Sequence, residues 1–188
     1  MKRIIALLML ATVFLSAGKV FAESVTYEID ASKSTVKFLV HATFHGFTGT
    51  SHSVRGKVVF DPSTQQVTGK AEVFVPVESI TTGITPRNKA MYKMFESDRY
   101  PEIRFTLLKA TAVSPQRYRL EGTLKIREIE QPFSFEAETS MPEDQFMAEG
   151  EVPMTTTMFD LKPPVGPFGI RVHKDIAVQF NLRWKRQS

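Results

Sequence analysis

Apolar and polar side chains alternate along several stretches of the chain, with the period of two that is typical of a half-buried β-strand. The clearest stretch spans residues 118–127, where one face is apolar and the other is mostly charged. Its apolar face is formed by Tyr118, Leu120, Leu124 and Ile126. The same alternation recurs in 36–40 and 176–184. Strands with one apolar face each must turn that face inward, which predicts an all-β antiparallel barrel.

Most connections between the predicted strands are short, which favours a sequential antiparallel meander. The predicted strands are Val25–Asp30, Thr35–Phe44, Ser51–Phe60, Val67–Pro76, Glu102–Leu108, Arg117–Glu128, Gln131–Thr139, Gln145–Pro153 and Asp175–Lys185. Asp61-Pro62-Ser63 and Ser114-Pro115-Gln116 have the composition of turns between neighbouring strands. The sequence contains no internal repeat or low-complexity linker, so residues 23–188 are predicted to form one domain.

One segment departs from the strand pattern and is predicted to be a short helix. Thr85 is a candidate helix cap, and Pro86 suits the first helical turn. The apolar residues that recur at helical spacing are Ala90, Met91, Met94 and Phe95. Tyr100-Pro101 ends the segment. A lone amphipathic helix in a β-rich chain is expected across the mouth of the barrel or against its side.

The first 22 residues are predicted to be a secretory signal peptide. Lys2 and Arg3 precede an apolar run from Ile4 to Ala17, and Val20-Phe21-Ala22 ends in a small residue at the expected cleavage site. The run is short for a membrane span, which favours a cleaved signal over an uncleaved anchor. The chain has no cysteine, so it lacks a lipidation site after the signal and a disulfide framework. A soluble periplasmic domain without stable membrane insertion is therefore expected.

The charge balance excludes some partner classes. The chain has 24 Lys and Arg against 20 Asp and Glu, a net charge of +4. Loss of the predicted signal removes Lys2, Arg3 and Lys19 and no acid, which leaves +1. This balance gives no electrostatic support for a nucleic-acid partner or for strong binding to anionic membranes.

Signatures of catalysis are absent from the sequence. It contains no Gly-x-Ser-x-Gly elbow, no phosphate-binding glycine loop and no zinc-protease helix. Glu136 and Glu138 alternate with Ser134 on the outer face of a predicted strand, where they are expected to be solvated. No enzymatic activity is therefore expected.

Three of the four histidines, His41, His45 and His52, lie close together in sequence. On a regular strand His41 and His45 would be ~13 Å apart, too far to share one metal ion. A hairpin turn at 45–48 would instead bring His41 opposite His52. A histidine-centred metal site therefore stays open as an alternative, although no metal is expected.

An ordered set of short motifs runs through the chain. They are Tyr27-Glu28-Ile29-Asp30, Ser34-Thr35-Val36-Lys37-Phe38, Gly56-Lys57-Val58-Val59-Phe60-Asp61, Thr82-Gly83 with Arg87-Asn88 and Met91, Tyr100-Pro101-Glu102-Ile103-Arg104-Phe105, Gly122-Thr123-Leu124-Lys125-Ile126-Arg127 and Phe168-Gly169-Ile170. This set resembles the YceI-like family of periplasmic proteins. The resemblance implies an extended lipocalin-like antiparallel barrel of about eight strands that encloses one small ligand. Members of that family bind polyisoprenoids and other long-chain lipids.

These expectations combine into an exported carrier, or sequestering protein, for one long-chain apolar ligand. The chain has fifteen phenylalanines and eight methionines, of which two of each leave with the predicted signal. The others supply apolar surface that suits such a pocket. The candidate ligand-binding residues are Phe38, Val40, Met91, Met94, Phe95, Phe105, Leu124, Ile126 and Phe180. No cofactor is expected, and the ligand implied by the resemblance is an isoprenoid quinone, a polyisoprenoid or a fatty-acid-like lipid.

Other functions remain compatible with the sequence. A barrel filled by its own side chains would act through its outer surface as a stress or interaction protein. Arg87 and Asn88 could orient a polar headgroup, but such a pair more often fixes a turn. The oligomeric state is open, and a homodimer is among the alternatives.

Overall fold

The computed structural model describes residues 24–43, 45–61, 64, 66–142, 145–165, 169 and 171–187. The predicted signal peptide lies outside the described residues. So do Pro62 and Ser63 of the first predicted turn, and Phe168 and Ile170 of the last motif.

Strands dominate the described part of the chain, and all of them belong to one antiparallel sheet. They are β1 (Val25–Ile29), β2 (Thr35–Ala42), β3 (Phe47–Ser51), β4 (Arg55–Asp61), β5 (Gln66–Val67), β6 (Ala71–Pro76), β7 (Glu102–Ser114), β8 (Arg117–Ile126), β9 (Ile129–Ser140), β10 (Phe146–Thr155) and β11 (Val172–Arg186). Short 3-10 turns occupy Ala31–Lys33, Val77–Ser79 and Thr156–Phe159.

Eight of these strands close into a ring in the order β1-β4-β6-β7-β8-β9-β10-β11. The ring is completed where Tyr27 of β1 pairs with Arg186 of β11, and Ile29 with Trp184. Strand β2 continues along β11 beyond β1, and β3 pairs with β2, so these two strands lengthen the wall on one side. The prediction of an all-β antiparallel barrel of about eight strands is confirmed. The predicted sequential meander holds from β6 to β11, but β1 pairs with β4 and β11, and β2 pairs with β11, so it does not hold for the first strands.

Strand β8 shows why alternation in the sequence produces a barrel wall. Its apolar residues all face the lumen: Tyr118, Leu120, Leu124 and Ile126. On the outer face, Arg117 lies 2.8 Å from Glu138 and Arg119 lies 3.0 Å from Glu136. Such exposed ion pairs contribute little to the free energy of folding, so burial of the inner face sets the orientation of the strand.

The predicted short helix is present as α1 (Thr85–Phe95), packed at one end of the barrel. The prediction that Thr85 caps the helix is wrong, because Ile84 occupies the cap position and Thr85 is already helical. The proline falls in the first turn as expected, and the helix ends at Glu96, whose backbone is left-handed with a φ of 51°. Among the described residues, no helix has the length and apolarity needed to cross a membrane.

Several strands differ from their predicted bounds. The predicted strand Val67–Pro76 is divided, because β5 ends at Val67 and β6 begins at Ala71. The predicted strand Ser51–Phe60 is divided, because β3 ends at Ser51 and β4 begins at Arg55. Strand β7 continues past Leu108 to Ser114, and residues 108–114 are all exposed. Residues 108–112 alternate between apolar and polar side chains, but all of them are exposed, so this alternation does not mark a buried face.

Candidate ligand cavity

The lumen of the barrel holds a cavity of about 1370 Å³. Its walls are the inward faces of the strands together with helix α1, and most of the lining side chains are apolar. Pockets for drug-sized ligands measure roughly 300–1,000 Å³. The barrel therefore encloses more space than a compact small molecule requires.

All of the candidate ligand-binding residues line this cavity. They are Phe38 and Val40 of β2, Met91, Met94 and Phe95 of α1, Phe105 of β7, Leu124 and Ile126 of β8, and Phe180 of β11. The structure thus brings together residues that are widely separated in sequence. Which of them contact a ligand stays a prediction.

The cavity is elongated along the strands. Tyr118 and Ile126 both line it, and they are eight residues apart on β8. At about 3.3 Å per residue, they are separated by roughly 26 Å. The acyl chains of one bilayer leaflet span only about 15 Å, half of the ~30 Å hydrocarbon core. The lining therefore exceeds the span of a disordered acyl chain in a bilayer and is comparable with the length of an extended one.

Helix α1 covers one mouth of the tunnel, which we call the helical end. The Tyr92 hydroxyl donates hydrogen bonds to the carbonyl oxygens of Ile80, at 2.8 Å, and Glu78, at 3.0 Å. Burial is the main cause that raises the pKa of Tyr92, and the nearby Glu78 charge adds to it. Both bonds tie the middle of the helix to the 3-10 turn before it.

Asn88 anchors the first turn of the helix. Its side-chain Oδ1 accepts hydrogen bonds from the Thr82 amide at 2.9 Å and from the Thr82 hydroxyl at 2.7 Å. Its Nδ2 donates to the Thr81 hydroxyl at 3.0 Å. Asn88 therefore fixes the turn, whereas the neighbouring Arg87 guanidinium lies 4.1 Å from the ring centroid of Phe47 in a cation–π contact.

An ion pair holds the last turn of the helix. Glu96 lies 2.5 Å from the guanidinium of Arg127, in the tight turn between β8 and β9. Glu128 lies 3.1 Å from the same guanidinium, and the Arg127 side chain is only 16% exposed. The helix is thus attached to the barrel at its start, middle and end.

At the opposite mouth, which we call the hairpin end, the part of the chain that the structure describes includes no covering helix. The β7–β8 hairpin projects there, and the sheet register shifts between Leu107 and Lys109. Leu108 is 72% exposed and Met141 is 44% exposed, yet both line the cavity. Exposed apolar side chains therefore border this opening.

Many lining residues were missed from the sequence, and two phenylalanines are the clearest examples. Phe133 and Phe135 of β9 both line the cavity, and their ring centroids are 5.9 Å apart. They alternate with Ser134 and Glu136, which the sequence places on the outer face of the strand. The two phenylalanines therefore had to face the lumen, and this alternation was enough to predict them as lining residues.

The expected opposition of His41 and His52 is wrong. The hairpin pairs Val40 with Phe47, so its turn precedes β3 and His52 lies near the far end of β2. There its Nδ1 is 3.2 Å from the Thr35 hydroxyl. His41 is six residues farther along β2, which corresponds to roughly 20 Å. No group of three potential metal ligands occurs within the described ranges.

Solved structures with the same fold come from several bacteria. BcnA of Burkholderia cenocepacia is 18% identical with a TM-score of 0.72, over 82% of this chain and 98% of BcnA. A polyisoprenoid binding domain from Saccharophagus degradans, implicated in plant cell wall breakdown, is 16% identical with a TM-score of 0.71, over 87% of this chain and 99% of that domain. The YCEI protein of Campylobacter jejuni is 19% identical with a TM-score of 0.54, over 75% of this chain and 88% of that protein.

No curated protein matches the sequence. The sequence does match the YceI-like domain over residues 27–184, which span the barrel from β1 to the closing strand β11. This match extends over most of the chain and agrees with the closed ring and with the structural neighbours. The chain therefore belongs to the YceI-like domain family.

Proposed function

We propose that the protein is an exported, non-enzymatic carrier that holds one long-chain apolar lipid inside the barrel. The observation that carries this proposal is the elongated apolar cavity of about 1370 Å³. The ligand class that we favour is a polyisoprenoid, including the isoprenoid tail of a quinone. The cavity accommodates one extended hydrocarbon chain, and one structural neighbour is described as a polyisoprenoid binding domain.

Burial of hydrocarbon alone is sufficient to give tight binding. Each methylene removed from water contributes ~0.8 kcal/mol, so a chain of about twenty carbons gains ~16 kcal/mol before costs. Association and ordering remove roughly 4–15 kcal/mol of that gain. Chain length therefore matters more for affinity than headgroup chemistry does.

The open lumen favours the carrier over a barrel filled by its own side chains. Phe105, Phe135 and Phe180 face the interior, yet all three are only partly buried. A filled core would bury such rings almost completely. Their remaining exposure is to the lumen, where a hydrocarbon chain would cover it.

Native mass spectrometry of the protein purified from its own host, followed by organic extraction, tests the proposal. We expect one long-chain lipid per protein, and we expect the delipidated protein to bind geranylgeraniol. A lumen variant, Leu120→Trp, should weaken this binding because the indole occupies the tunnel. The matched control Glu121→Trp places the same ring on the outer face of β8 and should bind normally. A lipid-free protein with no affinity for geranylgeraniol contradicts the proposal.

A further inference from the structure

Three phenylalanine rings form a continuous contact around part of the lumen wall. The Phe135 ring of β9 lies 5.2 Å from the Phe105 ring of β7 and 5.4 Å from the Phe180 ring of β11, measured between centroids. Both pairs have the tilted or edge-on geometry that aromatic rings prefer. The rings come from alternate strands of the barrel, as the layers of a barrel interior do.

Glycines occupy the strands between these phenylalanines. A Cβ atom on Gly122 of β8 would lie 2.8 Å from Cζ of Phe105. A Cβ atom on Gly150 of β10 would lie 2.9 Å from Cζ of Phe180. The Phe105 ring and the Phe180 ring therefore lie against the wall, in space that a side chain at Gly122 or Gly150 would occupy. Around five successive strands, large and small residues alternate.

We propose that Phe105, Phe135 and Phe180, with Gly122 and Gly150, form an aromatic collar that sets the width of the tunnel and selects its ligand. This inference rests on the proposed carrier function. The glycines keep the rings folded back, so the collar admits one flexible chain. Rigid fused-ring lipids and pairs of acyl chains are excluded because they require a wider passage.

The collar divides the tunnel near its midpoint. Gly122 is four residues from Tyr118, at the hairpin end, and four from Ile126, at the helical end. Each half is therefore roughly 13 Å long. A short chain fits within one half, whereas a long chain must pass through the collar. The collar thus affects ligands according to their length.

Gly150→Ala is the variant that tests the collar. The added methyl group forces the Phe180 ring away from the wall and into the passage, while the Glu136 carbonyl, 3.0 Å from the new atom, requires only a small shift. Gly122→Ala is less suitable, because its Cβ would lie 2.2 Å from the backbone oxygen of Thr106 and would disturb the sheet itself.

Two primary alcohols serve as probes of the delipidated protein: decanol, which fits within one half, and geranylgeraniol, which crosses the collar. We expect Gly150→Ala to weaken geranylgeraniol binding about tenfold, equivalent to losing contact with about two methylenes. Decanol binding should change less than about twofold, because its chain need not reach Phe180. The double variant Gly150→Ala/Phe180→Leu should regain geranylgeraniol binding, since the displaced ring is gone.

The outcomes separate the collar from the carrier function. If the unaltered protein binds neither alcohol, the proposed function fails. If it binds both and Gly150→Ala changes neither affinity, or weakens both equally without rescue by Phe180→Leu, the collar is wrong and the carrier function stands. Thermal unfolding of each variant identifies any loss of fold, and Phe135→Trp narrows the collar from a third strand without altering a glycine.

Discussion

The helical end and the hairpin end of the same tunnel are constructed in opposite ways. At the helical end, Tyr92, Asn88 and Glu96 attach α1 to the barrel through hydrogen bonds and an ion pair. At the hairpin end, residues 108–114 are exposed. Helix α1 thus covers one mouth, although Ile84, which lines the cavity beside it, is 47% exposed. Among the described residues, no helix covers the other mouth.

The two ends of the tunnel therefore differ in local stability and in how easily a ligand reaches the cavity. Local stability rises with buried apolar contacts and protected hydrogen bonds, and exposed segments open at low free-energy cost. The helical end has both stabilising features, since Met91 is 7% exposed and Phe159 of the nearby 3-10 turn is fully buried. We therefore expect a ligand to exchange through the hairpin end.

The largest contrast is expected from truncating one apolar side chain at each end. Phe159→Ala removes a ring with 0% exposure and should lower the free energy of unfolding by about 3–5 kcal/mol. Val113→Ala, at a position that is 52% exposed, should change it by less than about 0.5 kcal/mol. Urea unfolding measures both values. Equal decreases in the free energy of unfolding for the two variants would contradict the conclusion that the two ends differ in stability.

A smaller effect is expected at the middle of the helix. Tyr92→Phe leaves the carbonyl oxygens of Glu78 and Ile80 without their donor and should cost about 1–3 kcal/mol. Tyr118→Phe removes a hydroxyl at the hairpin end and serves as the control, with a change below about 0.5 kcal/mol.

Tyr92→Phe should also change how the stability of the protein depends on pH. The pKa of Tyr92 in the folded protein is raised above its usual value of 10.0. Its contribution to the free energy of unfolding is therefore complete below pH 10.0 and is lost as the pH rises through the pKa of the folded state. Unfolding measured across this alkaline range should show the loss in the unaltered protein. The Tyr92→Phe variant should lack this component, and an identical profile would show that the hydroxyl has no such role.

The smallest change in stability is expected at the hairpin end. A substitution there should instead change the rate at which a ligand associates. Leu108→Asp alters a residue that is 72% exposed, so stability should change by less than about 0.5 kcal/mol. The charge should nevertheless slow the association of geranylgeraniol, because the apolar chain must pass it. Val113→Asp places the same charge on an exposed residue outside the cavity lining and should associate at the normal rate. Stopped-flow fluorescence distinguishes the two variants.

The parts of the fold that bury one face were predictable from sequence. Strand β8 and helix α1 occur where alternation or helical spacing placed them, and Leu124 and Met91 line the cavity as proposed. In both elements the apolar period matches the geometry of the element that forms. Burial imposes this period on the sequence, which makes it detectable.

The features of the fold that were not predicted depend on tertiary contacts, which a local sequence pattern does not show. The extension of β7 beyond Leu108 buries nothing, and the helix cap at Ile84 follows from side-chain bonds of Asn88 to residues before the helix. The collar depends on registers between strands that are far apart in sequence. Gly150, for example, faces Phe180 only because β10 pairs with β11.

The pairing of the first strand with the last has a consequence for biogenesis. Tyr27 pairs with Val58 of β4 on one side, but its partner on the other side is Arg186, so the ring cannot be completed on a partly synthesised chain. Folding dominated by such distant pairings is slow. The edges of β1 and β10 that pair with β11 therefore stay open until that last strand has been made.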